Sequence, residues 1–99
     1  MTAETYQFIK MVYPILIHGN CLALFKKKEE FQLAVIKYGT YKKIRYKNFS
    51  NENEMNEFMG DIREVKTESL HDYYIARLNA KSLINHLLDY GTKPSRGTK

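Results

Sequence analysis

The sequence predicts an α+β domain, with an N-terminal helix, a four-stranded antiparallel meander and two C-terminal helices. Three observations predict it. Short apolar runs separated by glycine pairs and a charged break fill residues 15–49, and two stretches after residue 50 carry apolar side chains at helical spacing. A further helical spacing precedes Pro14.

In that first stretch Thr2 is placed to cap a helix and Glu4 to complement its dipole. Tyr6, Ile9, Val12 and Tyr13, with Phe8 beside them, form its apolar face. Pro14 stops it, because proline lacks the amide donor and biases its predecessor away from helical dihedrals.

The meander follows. ILIH (15–18) and CLALF (21–25) flank Gly19-Asn20, a pair suited to a tight turn. KKKEE is a hydrated loop between Phe25 and Phe31. FQLAVIKY (31–38) and YKKIRYKNF (41–49) flank Gly39-Thr40, where a leading glycine suits a type II′ turn. Pairing Tyr38 with Tyr41 sets Val35 opposite Ile44 and Leu33 opposite Tyr46 on one face. Ile36 then faces Lys43 and Ala34 faces Arg45 on the other. The first hairpin places Ile15, Ile17, Leu22 and Leu24 together, and Leu16, His18, Cys21, Ala23 and Phe25 opposite. The sheet is therefore apolar on both faces, so its helices must divide between the faces or a second subunit must cover one.

Beyond the sheet, Asn51 and Glu54 stand at capping-box spacing. Met55, Phe58, Met59, Ile62 and Val65 make the apolar stripe of a helix that Gly60 weakens by roughly 1 kcal/mol. The last helix runs from Thr67 or Ser69 to Tyr90 and ends at Gly91, with Pro94 beyond. Its stripe is Tyr73, Ala76, Ala80, Leu83, Leu87 and Tyr90, broadened by Ile84. Residues 1–91 are expected to form one domain and residues 92–99 a mobile basic tail.

Of 99 residues 43% are hydrophobic and 27% charged, ordinary values for a folded chain and too apolar for disorder. The net charge of +5 is less telling than it looks. Lys93, Arg96 and Lys99 supply three of the sixteen cations and no acid lies beside them, which leaves residues 1–90 at +2. Such a body does not by itself demand a polyanionic partner. Cys21 stands alone, so no internal disulfide can form, which fits a reducing cytoplasmic setting. The longest apolar run, Met11–Ile17, is far too short to cross a bilayer, and no secretory signal pattern opens the chain.

One segment draws attention for chemistry. In YGTYKKIRYK (38–47), Lys43, Arg45 and Lys47 alternate along one face of the last strand, together with Tyr41. Cations about 7 Å apart could follow a phosphate backbone while the tyrosine stacks on an unpaired base. A plainer reading competes with it. Lysines on an edge strand discourage edge-to-edge association. The four cations of residues 41–49 are also matched by five acids against one arginine in residues 50–64. Acidic residues packed beside the strand would cancel its field, and a solvated or internally paired edge is the stronger reading.

Other constellations are thinner. His18 and Cys21 would be cross-strand neighbours, but no third ligand or orienting acid accompanies them, so a buried thiol beside a hairpin histidine is preferred. His71 and His86 lie several turns apart on one helix and cannot share a metal. Glu54, Glu57, Asp61 and Glu64 could hold a divalent cation for a hydrolase, a minor alternative, since helix N-termini are commonly acidic for dipole reasons. No catalytic residue, cofactor or metal site is assigned.

Ala76 and Ala80, with Tyr73, Leu83 and Leu87 around them, form a ledge that another helix can approach closely. Tyr74, Ile75 and Leu78 lie off that stripe and give the helix more apolar surface than one contact needs. A homodimer is the expected consequence. The sequence thus points to a non-enzymatic accessory protein that acts through protein–protein contacts. The alternative is a nucleic-acid-binding module built on the basic strand.

In small size, richness in lysine, tyrosine and isoleucine, lack of tryptophan, and a compact αβ body with a basic tail, the chain resembles short uncharacterised proteins of viruses and mobile elements, including filamentous viruses of archaea. The likeness is one of composition and carries no site residue with it. It implies a non-enzymatic accessory protein whose partner is nucleic acid or a host or viral protein.

Overall fold

Two strands that bury every side chain over five residues form the centre of the fold. They are β2 (Asn20–Lys27) and β3 (Glu30–Lys37), buried from Cys21 to Phe25 and from Gln32 to Ile36 in a computed structural model that describes residues 5–40, 42–60 and 69–94. Their antiparallel register runs unbroken from Asn20↔Lys37 to Lys27↔Glu30. The KKKEE loop contracts to a Lys28-Glu29 turn, with Lys28 at φ 56 and Lys27 paired to Glu30 at 3.9 Å. β1 (Gln7–Ile17) and β4 (Lys43–Phe49) flank this pair in the order β1-β2-β3-β4, an antiparallel meander as the sequence predicts.

The expected N-terminal helix is instead β1, and the two helices follow the sheet. The physical reason is visible in the pairing. β1 advances from Gln7 to Ile17 while β2 retreats only from Lys26 to Asn20, with irregularities between Phe8 and Lys10, Met11 and Tyr13, and Tyr13 and Ile17. Each extra residue stretches the side-chain period beyond two, which imitates helical spacing in the sequence. Phe8, Ile9 and Val12 are strand formers. Pro14 is tolerated because β1 is an edge, where no outer neighbour needs its missing donor.

Both hairpins turn differently from expectation. In the first, His18 and Gly19 are the central residues, at φ 54 and 80, and Ile17 pairs with Asn20. A pair of positive φ values matches the right-handed twist of the strands it joins. His18 is therefore an exposed turn residue, and Cys21 lies against Ile36 rather than opposite His18. In the second, Gly39 takes φ 83 one position later than a type II′ turn requires, and Thr40 N–H donates to the Lys37 carbonyl at 3.1 Å. Ile36 pairs with Lys43 as expected, but a bulge then inserts one residue, so that Val35 faces Arg45, Ala34 faces Tyr46 and Leu33 faces Lys47. Ile44, the inserted residue, packs against the helix-side core.

The two faces are filled unequally. Ile17, Leu22, Leu24, Leu33, Val35 and Phe49 meet both helices, α1 (Glu52–Met59) through Met55 and Met59, and α2 (Leu70–Tyr90) through Ala76, Ala80, Ile84 and Leu87. Cys21, Ala23, Phe25, Ala34 and Ile36 form a separate cluster on the other face, covered by Tyr6, Met11 and Tyr46. Small side chains on that face let a thin aromatic layer suffice.

The helix signals are where the sequence places them. Asn51 Oδ1 accepts from Glu54 N–H at 3.0 Å, and the Glu54 carboxylate accepts from Ser50 N–H at 3.1 Å. Gly60 ends α1 at φ 63 instead of sitting within it. Ser69 caps α2 through Asp72 N–H at 3.1 Å. The expectations for Thr2, Glu4, Ile62, Val65, Thr67 and the end of the tail, and for the side chains of Tyr13, Ile15 and Leu16, lie outside the described residues.

After α2 the chain returns to the sheet. Tyr46 N–H donates to the Thr92 carbonyl at 3.0 Å and Thr92 N–H to the Tyr46 carbonyl at 2.7 Å, so the first tail residue is bridged to the outer edge of β4. Gly91 makes this approach possible. Its φ of −72 is ordinary, but an added Cβ would stand 2.5 Å from the Leu87 carbonyl and 3.1 Å from Arg45 Cβ. Gly91→Ala is expected to destabilise the protein by about 1–3 kcal/mol, read as a lower midpoint in urea unfolding, because backbone atoms rather than a flexible side chain must give way.

Candidate functional site

The bulge in β4 decides what the basic segment can do. Lys43 pairs with Ile36 and points to the aromatic-covered face, whereas Arg45 and Lys47 pair with Val35 and Leu33 on the helix side. The expected single row of Lys43, Arg45 and Lys47 is therefore split between two faces, and Tyr41 lies outside the described residues.

Lys43 is half-buried. Its ammonium stands 4.2 Å from the Phe25 ring centre and 5.7 Å from that of Tyr6, and the Lys27 ammonium lies 4.9 Å from the same Tyr6 ring centre. Burial lowers the Lys43 pKa. The Tyr6 hydroxyl donates to the Glu30 carboxylate at 2.9 Å. Its pKa is pushed up to about 12, first by burial, then by the Glu30 hydrogen bond and charge, and by Tyr46. This cluster holds β1 to β2, β3 and β4 and uses Lys43 as a structural cation.

On the opposite face Lys47 lies 5.5 Å from the Phe49 ring and 5.7 Å from that of Phe58. Rings continue from there: Phe49–Phe58 at 5.4 Å, Phe58–His86 at 5.5 Å and His86–Tyr90 at 5.0 Å. Beside them a cleft of about 140 Å³ is lined by Tyr46, Lys47, His86, Leu87, Tyr90, Gly91 and Thr92. Arg45 sits next to it, its Nη1 donating to the Ile44 carbonyl at 2.8 Å. The sequence carried a signal for this corner that spacing alone left unread, an aromatic pair at i, i+4 (His86, Tyr90) that only the fold brings to Lys47. A shallower groove of about 240 Å³ runs between β1 and α1, with Lys10, Glu52 and Asn56 around Val12, Leu24, Phe31, Met55 and Met59.

α2 divides its apolar residues between two sides. Ala76, Ala80 and Leu87 are buried against the sheet and Leu83 is half-buried, so this ledge meets strands of its own chain, while Tyr73 stays exposed against the Tyr74 ring at 5.9 Å. On the far side of the first turns stand Leu70, Tyr74, Ile75 and Leu78, exposed by 68%, 54%, 44% and 63%. With 100° between successive residues, these four centre opposite Ala76, Ala80 and Leu87. The same side continues as Lys81, Ser82, Asn85 and Asp89, so the bare apolar patch stops at Leu78.

Among the described residues no group of three or more His, Cys, Asp or Glu side chains could hold a metal. Glu54 is committed to the α1 cap, and Asp61 and Glu64 lie outside the described residues. Cys21 is a buried free thiol whose pKa is raised by burial, its Sγ 3.9 Å from the Ile36 carbonyl. No described helix is long and apolar enough to cross a membrane. No protein-family model and no curated protein matches the chain.

The Tyr6 cluster gives a titration test. Because the folded pKa of about 12 exceeds the ordinary 10.0, its stabilisation is complete below pH 10 and is lost as pH rises through 12. Absorbance titration of the tyrosinates should show a late phenol that disappears in Tyr6→Phe. In Glu30→Gln the same phenol should ionise earlier.

Proposed function

We propose that this protein is a non-enzymatic accessory protein of the cell interior that works by protein–protein contact, and that it self-associates through the outer face of α2. The observation that carries the reading is the exposed patch of Leu70, Tyr74, Ile75 and Leu78 on the side of α2 opposite the core. Large apolar side chains exposed together, rather than scattered singly, mark interaction surfaces on soluble proteins.

A second copy of the chain is the occupant the pattern favours. Leu70, Tyr74 and Leu78 recur every four residues and are symmetric about Tyr74. A two-fold axis through Tyr74 sets Leu70 of one protomer against Leu78 of the other, the self-complementarity that an isologous interface requires. Ridges of four-residue spacing on both helices interlock at a crossing angle of about −50°. Four exposed apolar side chains are far fewer than the roughly 20–30 residues a side of a standard interface, so weak association in the micromolar range is expected. Tyr73 borders this patch. Ala76, Ala80, Leu83 and Leu87 support it from beneath by fixing α2 to the sheet.

Light scattering coupled to size exclusion should report a mass rising from 11.7 kDa towards twice that value as concentration passes through the micromolar range. Leu78→Lys should abolish the rise without lowering the unfolding midpoint, since the side chain lies in solvent in the protomer. A wild-type mass fixed at 11.7 kDa over that range would remove the proposal.

A further inference from the structure

The corner where β4 meets the carboxyl end of α2 combines features that self-association does not use. Tyr90 is 77% exposed, yet its ring is held by His86 at 5.0 Å, and His86 is in turn backed by Phe58 at 5.5 Å. An aromatic face that is bare on one side and backed by a second ring on the other offers an unpaired base a surface to stack on. Lys47 borders the cleft under these rings, Arg45 lies against Gly91, and Lys93 follows the bridged Thr92.

We infer that this corner is a single-stranded nucleic-acid site, in which Tyr90, steadied by His86, stacks on an unpaired base while Lys47 and Arg45 meet the flanking phosphates. The cleft, at about 140 Å³, has room for about one base, not for a duplex groove. The location of the cations also has a reason. The carboxyl end of a helix carries partial negative charge, which repels a phosphate placed on the helix axis. α2 has no basic residue in its last turn, so the positive charge must come from β4 and from Lys93, and it lies to one side of the rings. That offset separates a stacking surface from a phosphate track, the division of labour that sequence-tolerant single-strand binding needs. Lys43 has no part in it, being held over Phe25 on the opposite face.

The test is fluorescence anisotropy with a labelled oligothymidylate of about twelve nucleotides at about 50 mM salt. With Lys47, Arg45 and Lys93 each contacting a phosphate, the log–log salt slope is roughly −2, at about 0.7 ion per contact on a single strand. Tyr90→Ala and Tyr90→Leu should each weaken binding about ten- to a hundredfold with the slope unchanged, because stacking releases no ions. Lys47→Gln should reduce the slope magnitude by about 0.7. Leu78→Lys should leave the affinity per protomer intact, which separates this site from the dimer. No anisotropy change with wild-type protein would overturn the assignment. So would equal affinity for a duplex of the same length, or a Tyr90→Ala variant that binds as well as wild type.

Discussion

Every feature of this fold answers to one constraint: β2 and β3 are apolar on both sides, and a sheet whose central strands face inward twice must be covered twice. Residues 21–25 and 32–36 leave no polar side toward water, and Gln32, the one polar residue among them, donates to Asn48 at 2.9 Å. The chain solves the problem asymmetrically. Large side chains (Leu22, Leu24, Leu33, Val35) face the helices, where bulk from two elements can interdigitate with them. Cys21, Ala23 and Ala34, three small side chains, face the other way with Phe25 and Ile36, where Tyr6, Met11 and Tyr46 fold over them. Because that second layer comes from within the sheet, both helices can lie on one face. α2 is then free to show its outer side to solvent.

Much of this was legible in the residues. The strands β2, β3 and β4, the caps Asn51 and Ser69, the end at Gly91 and the sorting of residues 21–25 onto two faces all follow from local chemistry, because caps and side-chain alternation need only near neighbours. Two features were not. β1 carries helical spacing in its sequence, with Tyr6, Ile9 and Val12 three residues apart, and nothing local distinguishes a repeatedly bulged strand from a helical turn pattern. The register of β4 shifts by one residue beyond Ile36, and a bulge leaves no mark in composition. That single residue moved Tyr46 and Lys47 to opposite faces and divided the basic segment. The extra apolar surface at Tyr74, Ile75 and Leu78 was readable because a helix has only one core side. The corner at His86 and Tyr90 was not, since it exists only when residues 47 and 86 are brought together from distant parts of the chain.

The lysines show how composition alone can mislead. Lys43 and Lys47 sit four residues apart in one basic stretch, yet the bulge sends them to opposite faces, where Lys43 is half-buried over Phe25 and the exposed Lys47 lies beside Phe49 and Phe58. A cation over an aromatic face contributes roughly 0.5–2 kcal/mol depending on its desolvation. Their alkyl stems cover apolar surface at the same time. A count of positive charges therefore overstates the field available to a partner, and the side of the sheet on which each charge emerges matters more than the total.

The two edges of the sheet differ from its centre in a way that bears on aggregation. β1 is irregular and contains Pro14, while β4 is bulged and bridged by Thr92 at Tyr46, so neither edge offers a long, straight row of free amides and carbonyls to another strand. The segments most prone to ordered stacking, Cys21–Phe25 and Leu33–Ile36, are locked in the middle, each bounded by lysines at 26–28 and at 37 that act as gatekeepers. Native protein can thus be concentrated safely, but the protection is conformational. Once heat or acid separates the strands, two short, uncharged, β-prone segments are released together, and the lysines alone stand between the unfolded chain and fibril-like assembly. Recovery after heating should accordingly improve as protein concentration falls, a kinetic vulnerability written into the same nine residues that hold the folded state together.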